Sequence, residues 1–274
     1  MDNNGLNKEY KMQELSKSSH NLYPDAPKSL QFIDSVIDDL MYGVTFNPNT
    51  NTGKIVANLS IIAETDLEKA LLAYRHVTYI GLNLSPLIKV LKAGELFGKT
   101  IIPEGKCGLV TPCSITIDGV LLKKGIPVQP KFGGIVQIKD GKPLRFTDII
   151  NYADTTVDPL ELLGSLDAVS VEMLTRTGTS KILANMREAP MASRDDIEKT
   201  LDALTHAGFG GILEVGEPNS RVLDMPVGMG HFGIIVIGGT NASVMMREKD
   251  IQIEIHPISE LIDISEMKRI EELT

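Results

Sequence analysis

The chain has 274 residues, 42% of them hydrophobic and 23% charged, and a net charge of −9. That length allows one large domain or two small ones, and the acidic balance argues against the chain gripping DNA by itself, because phosphate contacts need clustered Lys and Arg. Trp is absent and aromatics reach only 5%, which argues against platforms for stacking bases.

Two cysteines, Cys107 and Cys113, are too few for a disulfide framework or a zinc site made of cysteine pairs. No stretch approaches the roughly 20 unbroken apolar residues of a membrane helix. The N-terminus, MDNNGLNKEYKMQELSKSSHNLYPDAP, lacks the apolar core of a secretory signal. A cytoplasmic protein is expected. Residues 1–27 carry many Asn, Ser and Lys, end in YPDAP and read as a mobile tail or linker. From Ser29, SLQFIDSVIDDLM places Leu30, Ile33, Val36, Ile37 and Leu40 on one helical face. Ser29 is its expected cap and Gly43 its stop.

Beyond that helix the sequence repeats itself. TGKIVAN at 52–58 matches TSKILAN at 179–185, a spacing of 127 residues. DLEKALLAYRHVTYIG at 66–81 matches DIEKTLDALTHAGFGG at 196–211, a spacing of 130. A fainter third match sets GLVTPCSITIDGVLLKKGI at 108–126 against GIIVIGGTNASVMMREKDI at 233–251. Each copy then parses as a strand (54–62; 181–187), an Asp-started helix (65–77; 195–207), a second strand (79–84; 210–215), a third strand (107–112; 232–237), a second helix (115–124; 241–249) and a closing strand, KFGGIVQI in copy one. The order βαββαβ predicts an α+β fold of two tandem pseudo-repeats with helices packed on mixed sheets. Copy one covers about 50–140 and copy two about 179–264. A partly helical bridge is expected at 141–178, an extra helix in copy one at 86–98, and a C-terminal tail at 266–274.

Chemistry concentrates at two turns. In FGIIVIGGTNA a buried-looking strand runs into Gly238-Gly239, after which Thr240 or Asn241 caps a helix. The amides and the positive end of such a helix suit a carboxylate or phosphate, although a plain tight turn needs the same glycines. In copy one the equivalent turn reads VTPCSIT, with Thr111 before it and Cys113-Ser114 in place of the glycines. A thiolate there would be stabilised by the helix start, while an ordinary buried cysteine fits the same position. No GxGxxG or Walker pattern accompanies either turn. The five histidines do not fall at metal-ligand spacing, and no metal or cofactor is expected. Four basic residues near the turns, Lys131, Arg187, Arg221 and Arg247, are either partners for an anion or solvated surface charges.

Taken together, CSITIDGVLLKKGIPVQPKFGGIVQI, DPLELL, TGTSKILANMREAP, GFGGILEVGEP and GIIVIGGTNA resemble the regulatory domain of NrpR. That family comprises archaeal repressors of nitrogen-assimilation genes, and the resemblance covers about residues 28–265. It implies a regulatory rather than catalytic chain whose effector is 2-oxoglutarate, the signal of nitrogen shortage. The family's plan sets a winged-helix DNA-binding domain before the regulatory domains, and no such reader fits into about 27 polar residues. The expectation is a single regulatory domain that forms a homodimer or a complex with a winged-helix NrpR-type protein and reaches DNA only through that partner. The resemblance points to Thr111, Cys113, Ser114, Lys131, Arg187, Gly238, Gly239, Thr240 and Asn241 as effector-binding residues. Family members commonly carry the "CS" phrase found at Cys113-Ser114. Their second turn more often reads GGLNP where this chain has GGTNA, and the missing proline leaves that helix start less constrained. Two other functions stay open: an enzyme that uses Cys113 on a small acid or amide, and a dimerisation module without a ligand.

Overall fold

A computed structural model describes residues 31–166 and 168–273. The expected tail at 1–27 and the Ser29 cap lie outside the described residues. The first element is helix α1 (Ile33–Gly43), followed by β1 (Lys54–Ala63), α2 (Leu67–Tyr79), β2 (Leu87–Leu91), the two-residue strands β3 (Leu96–Phe97) and β4 (Thr100–Ile101), β5 (Lys106–Pro112) and α3 (Ile115–Lys123). The middle of the chain gives β6 (Gln129–Lys139), β7 (Lys142–Asn151), α4 (Pro159–Gly164) and α5 (Val171–Thr177). The second half gives β8 (Ser180–Pro190), α6 (Arg194–His206), β9 (Ile212–Val215), β10 (His231–Ile237), α7 (Asn241–Glu248), β11 (Ile253–Asp263) and β12 (Lys268–Arg269).

Two five-stranded sheets carry the fold, in the orders β11-β1-β5-β2-β12 and β7-β6-β8-β10-β9. All their pairings are antiparallel, so the class is α+β but the sheets are not mixed. Equivalent strands of the repeats have equivalent neighbours: β1 lies between β11 and β5, and β8 between β6 and β10.

The closing strands are exchanged. β6, from copy one, pairs with β8 of copy two, and β11, from copy two, pairs with β1 of copy one. β1 is buried over eight of its ten residues and β8 over eight of its eleven. Such strands need a neighbour on both edges, because an unpaired buried amide or carbonyl is costly. Each repeat supplies the other's missing neighbour, so the two copies fold as one interlocked unit.

Three local expectations change. Residues 86–98 form β2 and β3, the first strand of the β3–β4 hairpin, rather than a helix. Pro86 stands before the run, Ile88 and Leu91 point inward, and Gly94 and Gly98 turn the chain at φ +83° and +59°. Residues 79–84 are not a strand. α2 runs on to Tyr79, Gly81 ends it at φ +74°, and the strand follows at Leu87. Gly208 makes the same turn after α6 at φ +89°, so α2 and α6 correspond at a spacing of 127 residues rather than the expected 130. The C-terminal segment is not a free tail: Lys268 pairs with Ile88 and Arg269 with Leu87, and Ile270 is fully buried. In the bridge, α4 and α5 supply the expected helix, but Asp140-Gly141, at φ +52° and +73°, folds β7 back onto β6 as a hairpin.

Candidate functional site

The duplication extends to individual hydrogen bonds. In copy one the Thr116 hydroxyl accepts from the Val56 N–H at 3.0 Å and donates to the Val56 carbonyl at 3.1 Å. In copy two the Asn241 side chain accepts from the Leu183 N–H and donates to the Leu183 carbonyl, each at 2.9 Å. The Cys113 and Gly238 N–H groups bond those same two carbonyls at 2.8 and 2.9 Å. Each turn is thus pinned to the first strand of its own repeat, two residues before an asparagine, Asn58 in β1 and Asn185 in β8.

The two turns face each other. Cys113, Ser114, Gly239 and Thr240 line one small cavity of about 20 Å³, together with Asn58, Asn185, Tyr152 and Asp158. Ser114 and Thr240 are the N-cap residues of α3 and α7, so the positive ends of both helix dipoles meet here. The approach demands glycine. A Cβ on Gly239 would lie 3.0 Å from Asn58 Nδ2 and 3.3 Å from the Pro112 oxygen, and one on Gly238 would lie 2.9 Å from Leu183 Cβ.

Behind the cavity wall sits a buried ion pair. Arg187 and Asp118 are 1% and 0% exposed, and the guanidinium donates to the carboxylate at 2.6 and 2.9 Å. Arg187 also donates to Asn185 Oδ1 at 2.7 Å, and Asn185 donates to the Ser114 hydroxyl at 3.0 Å. Burial pushes the Asp118 carboxyl up, while Arg187 pulls it back. Arg187 is therefore a fixed strut between β8 and α3, already spent on a carboxylate of its own chain.

Burial also sets the state of the other groups. It raises the Cys113 thiol to about 12, so at pH 7 only about one thiol in 10⁵ is ionised. This overturns the expectation that the helix start would favour a thiolate. Asp158 is pushed up to about 6 by burial, against the pull of the Glu161 and Leu160 N–H groups that it caps. The Thr240 hydroxyl is buried with no hydrogen-bond partner among the described residues. Across the cavity Ile258 sits at φ +48°, held by a bond from its N–H to Asn58 Oδ1 at 2.9 Å. A β-branched residue there costs on the order of 1–3 kcal/mol.

Of the expected site residues, Cys113, Ser114, Gly239 and Thr240 come together at the cavity. Gly238 and Asn241 hold the second turn in place from behind. Thr111 is buried in β5 opposite Asn58. Lys131 does not line the cavity, and its amino group lies 3.9 Å from Glu188. Arg221 and Arg247 bond the backbone oxygens of Asp224 and Gly164. Asn58, Asn185, Asp118, Tyr152 and Asp158 were not anticipated, although both asparagines end the most similar phrase of the two repeats. Among the described residues no group of His, Cys, Asp and Glu could hold a metal ion, and no helix is long and apolar enough to cross a membrane.

Residues 30–269 match a family model described as NrpR regulatory domains NRD1 and 2. The global nitrogen regulator NrpRI of Methanosarcina mazei is 36% identical over 87% of this chain and 73% of its own length. The global nitrogen regulators NrpR of Methanocaldococcus jannaschii and Methanococcus maripaludis are 28% and 30% identical over 85% of this chain, which spans only 39% of each of them. The crystal structure of a nitrogen repressor-like protein from Methanococcus jannaschii superposes with a TM-score of 0.76 at 26% identity, over 88% of this chain and 99% of that one.

Proposed function

This chain belongs to the family of NrpR regulatory domains, and we propose that it is the 2-oxoglutarate-responsive co-repressor subunit of a repressor of nitrogen-assimilation genes. It works in the cytoplasm as a homodimer or in a complex with a winged-helix NrpR-type protein, and it meets DNA only through that partner. The net charge of −9 supports indirect contact with DNA.

The observation that carries the effector reading is the meeting of two pseudo-equivalent helix starts around a buried, unpartnered Thr240 hydroxyl. Two helix N-termini, two hydroxyls and two carboxamides suit a ligand with two carboxylates and a keto oxygen. A space of about 20 Å³ holds about one water, so the effector enters only when the wall opens. The segment from Tyr152 to Leu160 is the wall contributed by the bridge. An effector that binds only the opened form shifts the molecule toward it, as a regulatory switch requires. The enzymatic reading of Cys113 loses its support with the thiol held protonated.

The test is a mobility-shift assay on a nitrogen-assimilation operator. This chain alone should leave the DNA free, chain and winged-helix partner together should retard it, and 2-oxoglutarate should release it. Tight binding of operator by this chain alone, or retardation indifferent to 2-oxoglutarate, would overturn the proposal.

A further inference from the structure

The cavity between the two turns carries a charge that an anionic effector must meet. Asp158 is the one acidic or basic residue in its lining, and neither Lys nor Arg lines it. Asp158 is 6% exposed. Its Oδ1 accepts from the Leu160 and Glu161 N–H groups, each at 2.9 Å. None of the ion pairs among the described residues includes it.

The charged and titratable groups around Asp158 give it no cation. On the α3 side, burial holds Cys113 as a neutral thiol, and Asp118 is spent on Arg187 of β8. Burial also keeps Tyr152, at the other end of the bridge wall, un-ionised. On α4 itself Glu161 adds a like charge. From β11 the lining residues are Pro257 and Ile258, and the adjacent His256 has its Nε2 3.0 Å from Glu254 Oε1. Burial pushes the Asp158 carboxyl up to about 6, so it is still ionised at neutral pH.

A dicarboxylate brings two more negative charges to this place. Like charges that share a site without a cation disfavour the ionised form of one of them. A proton on Asp158 removes one of the three charges. It also turns an acceptor-only carboxylate into a hydrogen-bond donor. Oδ1 is occupied by the two α4 amides, which leaves Oδ2 to carry the proton. Those amides also tie the side chain to α4, so it stays with the wall when the wall moves. We propose that Asp158 is the residue that admits the dianion: the effector binds together with one proton, taken from solvent and held on Asp158 Oδ2 against an effector carboxylate. This inference rests on the cavity being the effector site. The free carboxyl is ionised above about pH 6 and the bound one is protonated, so affinity falls as pH rises, by up to about tenfold per unit.

The experiment titrates 2-oxoglutarate calorimetrically into the whole chain at pH 7.5, in two buffers of different ionisation enthalpy, and counts the protons taken up. Dissociation constants are then measured from pH 6 to 8, where the effector's own carboxylates stay ionised, for wild type and Asp158→Asn. Asparagine is uncharged and donates a hydrogen bond, as a protonated aspartate does. The wild type should take up close to one proton and bind about tenfold more weakly at pH 8 than at pH 7. Asp158→Asn should take up none, show no such dependence, and bind more tightly than wild type at pH 7.5. Saturable binding without proton uptake, or with proton release, would overturn this inference alone, because Asp158 would then have swung out to water. So would an equal pH dependence in the two proteins. No saturable binding by either protein at any of these pH values would overturn the effector reading as well.

Discussion

Replacing Arg187 by methionine tests whether the buried arginine is a strut or an effector contact. The side chain is 1% exposed and donates to Asp118, Asn185 and Ser114. Methionine fills part of the volume but leaves the fully buried Asp118 carboxylate without a cation. Removing one partner of a buried pair costs about 3–5 kcal/mol. Asp118 can relieve part of this by taking up a proton, so the Arg187→Met deficit should shrink as pH falls and grow as pH rises. In the double variant Asp118→Leu/Arg187→Met no charge is stranded, and most of the loss should return, because well-packed apolar replacements of such pairs are often neutral or stabilising. Urea unfolding of the wild type, both single variants and the double variant gives the cycle directly. A single Arg187→Met cost below about 1 kcal/mol, or a double variant as unstable as the two losses summed, would refute the strut.

Three further outcomes follow from the same geometry. Gly239→Ala places a methyl 3.0 Å from Asn58 Nδ2 and 3.3 Å from the Pro112 oxygen; overpacking should cost about 1–2 kcal/mol in denaturant unfolding, and an unchanged midpoint would mean that the turns stand farther apart. Asp158 titrates at about 6 in the folded chain against 3.8 unfolded, so its ionisation is a penalty absent below about pH 4 and complete above about pH 7, of at most about 3 kcal/mol. Asn can keep the α4 cap, so Asp158→Asn should be more stable than wild type at pH 7.5 and equal to it at pH 3.5; equal stability at both would contradict the buried carboxylate. Cys113 should resist iodoacetamide at pH 7.5 in the folded chain and react on unfolding, whereas rapid stoichiometric labelling of native protein at Cys113 would contradict a protonated, buried thiol.

The duplication and both turns were legible because the VAN and LAN phrases inside β1 and β8 and the Gly-Gly and Cys-Ser positions fix them, whereas the matched DLEK and DIEK phrases set the two helices three residues out of register. The strand exchange was not. A closing strand such as KFGGIVQI is equally apolar against either sheet, and no local pattern says which repeat it serves. Residues 86–98 misled because LIKVL and ELF place apolar residues at spacings that satisfy a helix as well as a strand. Arg187 was read as a possible anion contact because its partner lies 69 residues away. A signal was nevertheless present. Arg187 falls within the buried stretch ILANMREA of β8, and Asp118 interrupts ITIDGVLL. Two opposite charges stranded in two buried elements are best satisfied by each other.

The central claim is that 2-oxoglutarate binds between the two turns and uses the otherwise unsatisfied Thr240 hydroxyl. Calorimetric titration of 2-oxoglutarate into the wild type and Thr240→Val measures this directly. Valine keeps the shape of the side chain and removes only the hydroxyl, so the fold should hold. The account predicts saturable binding to the wild type and affinity about tenfold weaker in Thr240→Val, the loss expected for a hydrogen bond to a charged ligand group. No saturable heat at millimolar 2-oxoglutarate, with or without the winged-helix partner, or equal affinity in the two proteins, would contradict it.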